Sequence, residues 1–241
     1  MAIKFKSAED FTRWNEEMTR KYDSEDYHLR SNFLIRWIEG KRVKKIIELI
    51  DATPTDTILE VGCGAGLVLE KFQAKKLIGI DLSGYILHKT RARLAHREAS
   101  LLQANAETLP FLSQSFHKIV CTEVIEHVIE PRNVIRELSR IATPDAIIVI
   151  TIPNERLIDN LKRTLKAVGL SRLLLAGKKD PKSNQNAYDS PDEANEWHLH
   201  DFDINLIKKV TEDKLTIVQI QAIPFFFLPL RYVVFCKQPQ K

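Results

Sequence analysis

From residue 57 onward, short apolar runs alternate with stretches whose apolar positions recur at helical spacing. The runs 57–61, 76–81, about 100–104, 118–123 and 146–152 are rich in Ile, Val and Leu and predict buried strands. Between them the period lengthens and predicts helices over 65–73, 83–98 and 131–142. Such alternation argues for a doubly wound α/β fold: a mostly parallel sheet, helices on both faces and right-handed crossovers. Upstream, Ser7 can cap a helix carrying Phe11, Trp14 and Met18. A second helix is predicted from about His28 to Ile50, interrupted at Gly40 and the basic run 41–45. Downstream come a helix (204–214), a strand (215–222), a Phe-rich turn through Pro224 and Pro229, and a last strand (231–236). Two neighbouring strands with no crossover helix between them should pair antiparallel.

Composition narrows the class without naming it. The 241 residues suffice for one sizeable domain, and 44% hydrophobic with 28% charged content is ordinary for a globular chain. A net charge of +4 is too mild to imply nucleic acid. Cys63, Cys121 and Cys236 lie far apart and form no CxxC pair, so disulfides and zinc ribbons are not expected, and a reducing compartment is. The opening MAIKFKSAED has no apolar core of a secretory leader. The longest apolar run, 222–230, spans nine residues with two prolines, whereas a membrane-crossing helix needs about 20. A cytoplasmic location is therefore expected. The expected division is a helical cap over 1–56 and a ligand-binding domain over 57–241 with an insertion at 155–200.

Candidate chemistry gathers at the predicted strand ends. Glu60 is followed by Gly62-Cys63-Gly64-Ala65-Gly66, a turn stripped of Cβ atoms where a ligand can lie against the backbone. The dinucleotide fingerprint needs a glycine at the position of Leu67; here the last glycine comes one residue early. Asp81 ends the second strand, 21 residues after Glu60. A carboxylate there can accept both hydrogen bonds of a ribose diol. Its alternative role is a helix cap, which Ser83 can also fill.

The pattern E-x-G-x-G-x-G at 60–66 resembles motif I of the class I S-adenosylmethionine (SAM) methyltransferases. Asn105-Ala106-Glu107-Thr108-Leu109-Pro110-Phe111 resembles that family's D-A-E-x-L-P-F segment, and Glu123-Val124-Ile125-Glu126-His127-Val128 resembles the E-V-L-E-H-V signature of small-molecule members, the ubiquinone-biosynthesis O-methyltransferases among them. The resemblance implies SAM as cofactor and a seven-stranded sheet of order 3-2-1-4-5-7-6 with an antiparallel edge. It implies a helical cap and lid over the cleft, and methyl transfer to a hydroxyl or amine of a small or lipid-linked acceptor. It implies cofactor contacts from Glu60, Gly62, Cys63, Gly64, Gly66, Asp81, Leu82, Asn105, Ala106, Glu107, Thr122 and Glu123. Asn105 replaces an acid; its amide oxygen still accepts from an adenine amino group but lacks charge. Glu126 and His127 are expected where the acceptor arrives. His127 is read as a general base or as a loop-orienting group.

The insertion adds its own alternatives. Residues 155–179 carry Arg156, Lys162, Arg163, Lys166, Arg172, Lys178 and Lys179 against Glu155 and Asp159, with Leu157, Ile158, Leu161, Leu165 and Val168 at helical spacing. Such a helix either meets an anionic membrane or closes the cleft with its cations in water. His198 is a second candidate base. A metal site of His198, His200 and Asp201 is conceivable, but no full ligand set is legible, so no metal is assigned. Non-catalytic SAM binding at a membrane is the alternative function; NAD chemistry and nucleic-acid methylation are disfavoured.

Overall fold

The computed structural model describes residues 5–22, 31–168 and 197–239. Seven strands form one sheet of order β3-β2-β1-β4-β5-β7-β6: β1 (Thr57–Val61), β2 (Lys76–Asp81), β3 (Ala99–Gln103), β4 (Phe116–Thr122), β5 (Ala142–Pro153), β6 (Thr216–Phe225) and β7 (Leu228–Lys237). The first five pair in parallel, and β7 runs antiparallel to both β5 and β6. Six helices accompany them among the described residues: α1 (Ala8–Lys21), α2 (Phe33–Ile50), α3 (Gly84–Arg93), α4 (Pro131–Ile141), α5 (Glu155–Ala167) and α6 (Ile204–Thr211).

Period-two burial sorts the core. Alternate β1 side chains face opposite ways. Leu59 and Val61 join Ile135 and Leu138 of α4 and Ile207 and Val210 of α6. Ile58 joins Ile46 and Ile50 of α2 and Leu87 of α3. The expected doubly wound sheet and its strand order are both present.

Three local expectations need correction. The helix expected at 65–73 is only a 3-10 turn, Leu69–Lys71. Nine residues separate Gly66 from β2, too few for a full crossover helix, and arginines at the end of α3 and in the turn after it take two carbonyls of the stretch. Arg93 Nε donates to Ala65 O at 2.8 Å, and Arg97 Nη2 donates to Phe72 O at 2.8 Å. Helix α2 runs unbroken from its Asn32 cap to Ile50, through Gly40, which faces open space. Its basic run does not interrupt it because Arg42 turns inward to a buried carboxylate, described below. Finally, Pro224 and Pro229 pair within the last two strands, so the turn is the dipeptide Phe226-Phe227 at a longer hairpin's tip.

Candidate active site

The carboxyl ends of β1, β2 and β4 open on a cleft of ≈ 260 Å³. Its floor is the glycine turn. Gly62, Gly64 and Gly66 all have positive φ. At Gly62, whose φ is positive, an added Cβ would collide with Val124 Cγ2, so only glycine fits. Asp81 joins the turn to β2: one carboxylate oxygen accepts from Gly64 N and the other from Ser83 N, each at 2.9 Å. Ser83 is itself the α3 cap, so Asp81 is left for a ligand. Burial raises the Asp81 pKa, opposed by those two N–H donors. Four acceptor positions on a carboxylate leave room for a diol beside the two backbone donors.

Glu60 lines the cleft and is almost fully buried. Its Oε1 accepts from Thr122 Oγ1 at 3.1 Å, while Oε2 has no partner among the described residues. Burial pushes its pKa up to about 8, against the Thr122 hydrogen bond and the charge of Arg42. The folded chain therefore holds a proton that the unfolded chain releases between the ordinary 4.5 and about 8, and stability must fall as pH rises through that window. Glu60→Gln is expected to reduce that slope, by at most about 1.4 kcal/mol per pH unit. Urea titrations of the ligand-free protein across the window check it, and an unchanged slope refutes the assignment.

At the other end of the cleft lies a charged network. Arg42 is buried on α2 and donates to Glu39 Oε2 (2.8 Å) and Thr151 Oγ1 (3.2 Å). Thr151 donates to Glu123 Oε1 at 2.8 Å, and Arg231 Nε lies 2.8 Å from Glu123 Oε2. Glu123 has φ 52, a left-handed conformation that costs a non-glycine residue energy and is held here by its neighbours. Arg42 and Arg231 both line the cleft. Neither is legible as a site residue in the sequence, although Arg42 carries a signal: it interrupts the apolar stripe between Ile38 and Ile46 on α2.

The third group lies beyond Glu123. His127 Nδ1 bonds Trp197 O at 3.1 Å, and its ring stacks on Trp197 (centroids 4.4 Å apart) and meets His198 at 4.7 Å. Tyr22 stacks on the far face of the group, against Trp197 at 6.0 Å. His198 Nδ1 lies 2.7 Å from Glu155 Oε1. Ligand atoms of Glu126, His127 and His198 all lie within 4.8 Å of one another. Burial lowers the His127 pKa to about 3 and that of His198 to about 4, so both rings are neutral. Burial and the Glu123 charge raise Glu126 well above the carboxylate range. Its Oε2 is buried without a partner among the described residues.

Most sequence-derived site residues therefore meet. Glu60, Gly62, Cys63, Gly64, Asp81 and Leu82 line the cleft, as do Asn105, Ala106, Thr122, Glu123 and His127. Others do not. Gly66 shapes the turn from outside, its N–H bonded to Cys63 O. Glu107 faces away: its carboxylate accepts from Ile129 N, Glu130 N and Asn133 Nδ2 at the start of α4, where unpaired N–H groups favour an anion. Glu126 sits behind the acceptor side rather than at its mouth. Asn105 Oδ1 already accepts from Glu107 N at 2.8 Å, so an adenine amino group must share it. His200 leaves the conceived metal set: its Nε2 lies against the carbonyls of Val128 and Ile129. His198 meets Glu126 and His127 instead.

A glycine cradle, a carboxylate at the neighbouring strand tip and an unpaired buried carboxylate oxygen fit an adenosine ligand carrying a cationic end. Residues 59–150 match the family profile described as "Methyltransferase domain". That match identifies the central stretch as a methyltransferase domain, and SAM is the cofactor that the cleft suits. The chain is similar to the mitochondrial ubiquinone biosynthesis O-methyltransferase of Dictyostelium discoideum, 26% identical over 68% of this chain and 56% of that protein. It is also similar to the ubiquinone biosynthesis O-methyltransferase of Nitrosomonas europaea, 27% identical over 58% of this chain and 62% of that protein. The chain thus spans somewhat over half the length of these relatives. Among solved structures, the N-methyltransferase NodS from Bradyrhizobium japonicum, in complex with S-adenosyl-L-homocysteine, superposes with TM-score 0.62 at 16% identity, covering 95% of this chain and 99% of that one. The cyclase SpnF shares the fold at TM-score 0.59 and 12% identity, covering 84% of this chain and 82% of that one. Fold alone therefore does not assign methyl transfer.

Proposed function

We propose that this protein transfers the methyl group of SAM to a hydroxyl of a small or lipid-linked acceptor. The carrying observation is geometric: His127 lines the cleft with its Nδ1 engaged by the Trp197 carbonyl, which leaves Nε2 as the ring's acceptor. When bound, SAM supplies an electrophilic methyl carbon on a cationic sulfur. Gly62, Gly64 and Asp81 would hold the adenosine, and Glu123 suits the cationic amino group, beside which the buried Glu60 would give up its proton. Arg42 suits the carboxylate. Tyr22 and Trp197 exclude water from the acceptor side. With SAM bound, the cleft would align an acceptor hydroxyl with the methyl carbon, and His127 Nε2 would stand ready to take its proton. An amine needs no such base once neutral. The base therefore favours oxygen, as does the similarity to O-methyltransferases.

Arg42→Met is expected to weaken SAM binding about 10–100-fold through loss of a charged hydrogen bond. Binding of 5′-methylthioadenosine, which lacks the amino-acid end, should change little. Calorimetry with the two ligands separates the effects; equal losses would mean that Arg42 only supports the fold.

One observation favours a second form of the same reading. Glu126, His127 and His198 make a two-histidine, one-carboxylate set, and both histidines have another ring nitrogen occupied nearby by Trp197 O or Glu155. Such outer contacts orient metal-ligating imidazoles. A divalent cation held there would lower the acceptor hydroxyl's pKa in place of a free base.

The test of function is S-adenosyl-L-homocysteine formation with phenolic, prenylated phenolic and amine acceptors, before and after chelation and with Mg²⁺, Mn²⁺ or Zn²⁺ restored. Phenol-dependent turnover supports the reading, and cation-dependent turnover its second form. SAM binding with no turnover on any acceptor favours the non-catalytic alternative.

A further inference from the structure

The β6–β7 hairpin ends in apolar residues that no described residue covers. Phe226 is 86% exposed and Phe227 68%. Phe227 stacks on Phe225 at 5.1 Å and meets Phe226 edge-on at 5.3 Å. Phe225 reaches Trp37 of α2 at 5.7 Å. One α2 face continues the patch toward its start, since Phe33, Trp37 and Lys41 follow at four-residue spacing and Phe33 is 77% exposed. Exposed aromatics in such a cluster mark an interaction surface.

Its shape and charge select the occupant. The patch is the convex end of a two-residue turn with a helix start beside it, a prong rather than a groove. Lys41 Nζ sits over Trp37 at 4.7 Å and over Phe225 at 5.4 Å. Arg36 is exposed on the same end of α2, whereas Glu39 is buried against Arg42. The basic helix α5 begins at the hairpin: Asn154 Nδ2 donates to Pro229 O and Asn154 N to Leu230 O. Arg163 and Lys166 on it are exposed. Aromatic rings with a cationic collar match the boundary between acyl chains and anionic headgroups. No helix among the described residues is long and apolar enough to cross a membrane, so the contact would be peripheral.

We propose that the Phe225–Phe227 tip, with Trp37 and Lys41, is a prong that inserts into the surface of an anionic lipid bilayer. The prong shares α2 and β7 with the cleft, which Arg42 and Arg231 line. Docking would therefore bring the cleft mouth to the lipid boundary, where a lipid-linked acceptor resides. This last step rests on the methyl-transfer reading; the docking itself does not.

The test is co-sedimentation of the full chain with phosphatidylcholine vesicles, with and without phosphatidylglycerol. The variants are F226S/F227S, K41E, and V218S as an exposed apolar control elsewhere on β6. Wild type and V218S should pellet with anionic vesicles. F226S/F227S should lose at least about tenfold in apparent affinity at any salt concentration, and K41E chiefly at low salt. Phe226, Phe227 and Val218 are exposed and Lys41 is half-buried, so matching melting temperatures and SAM affinities should confirm intact folds. Wild type left in the supernatant at low salt, or F226S/F227S retained like wild type, overturns the proposal. So does gel filtration showing a wild-type dimer that F226S/F227S dissociates, because a second copy would then cover the prong. No SAM enters the vesicle measurement, so its failure leaves the methyl-transfer reading standing.

Discussion

Asp81→Ala is expected to raise the dissociation constant for SAM by at least about 100-fold. Hydrogen bonds to a charged partner contribute about 1.5–3 kcal/mol each, and a ribose diol makes two. The carboxylate also tethers the glycine turn through Gly64 N and caps Ser83 N, so ligand-free melting should fall as well. Asp81→Asn keeps an acceptor oxygen but loses charge, and should lie between wild type and the alanine variant. Adenosine carries the diol and lacks the methionine end, so its affinity should fall by the same factor as that of SAM. The contrast with Arg42 is the check: that variant should separate SAM from methylthioadenosine, and this one should not. Equal adenosine affinity in wild type and Asp81→Ala would remove the diol assignment.

His127→Ala carries the second large effect, a fall in kcat of about 10²–10⁴, the range for a lost general acid or base. SAM affinity should stay within about threefold, because the ring contacts Trp197 and His198 at the acceptor side. The cation form predicts in addition that His127→Ala and His198→Ala both lose bound metal, whereas His200→Ala keeps it, its ring lying against backbone carbonyls. A His127→Ala enzyme with wild-type kcat would leave proximity and alignment as the whole mechanism.

Local sequence made much of this site legible. The glycine turn needs its residue types within one short stretch, and Asp81 follows at the next strand tip. Both lie beside the switch in strand order, where such sheets bind ligands. Local sequence was less informative where a side chain has two places to go. Glu107 reads like a cofactor ligand, yet its carboxylate satisfies donors at the start of α4. The stretch after Gly66 has helical periodicity, yet Arg93 and Arg97 take its carbonyls. Arg42 reads as part of a basic run that interrupts the helix, until the α2 register turns it toward Glu39.

By itself, then, the sequence determined the alternation of strands and helices, the positions requiring glycine, and the acid that follows them. These depend on period, backbone sterics and neighbours a few residues apart. Only the tertiary structure decided which charges face the cleft and that His198 meets His127 across the intervening chain. It also decided that Phe226 and Phe227 are left exposed by the described residues. Those outcomes depend on contacts between distant segments, where burial and competing hydrogen-bond partners choose among side-chain arrangements that local sequence leaves equally open.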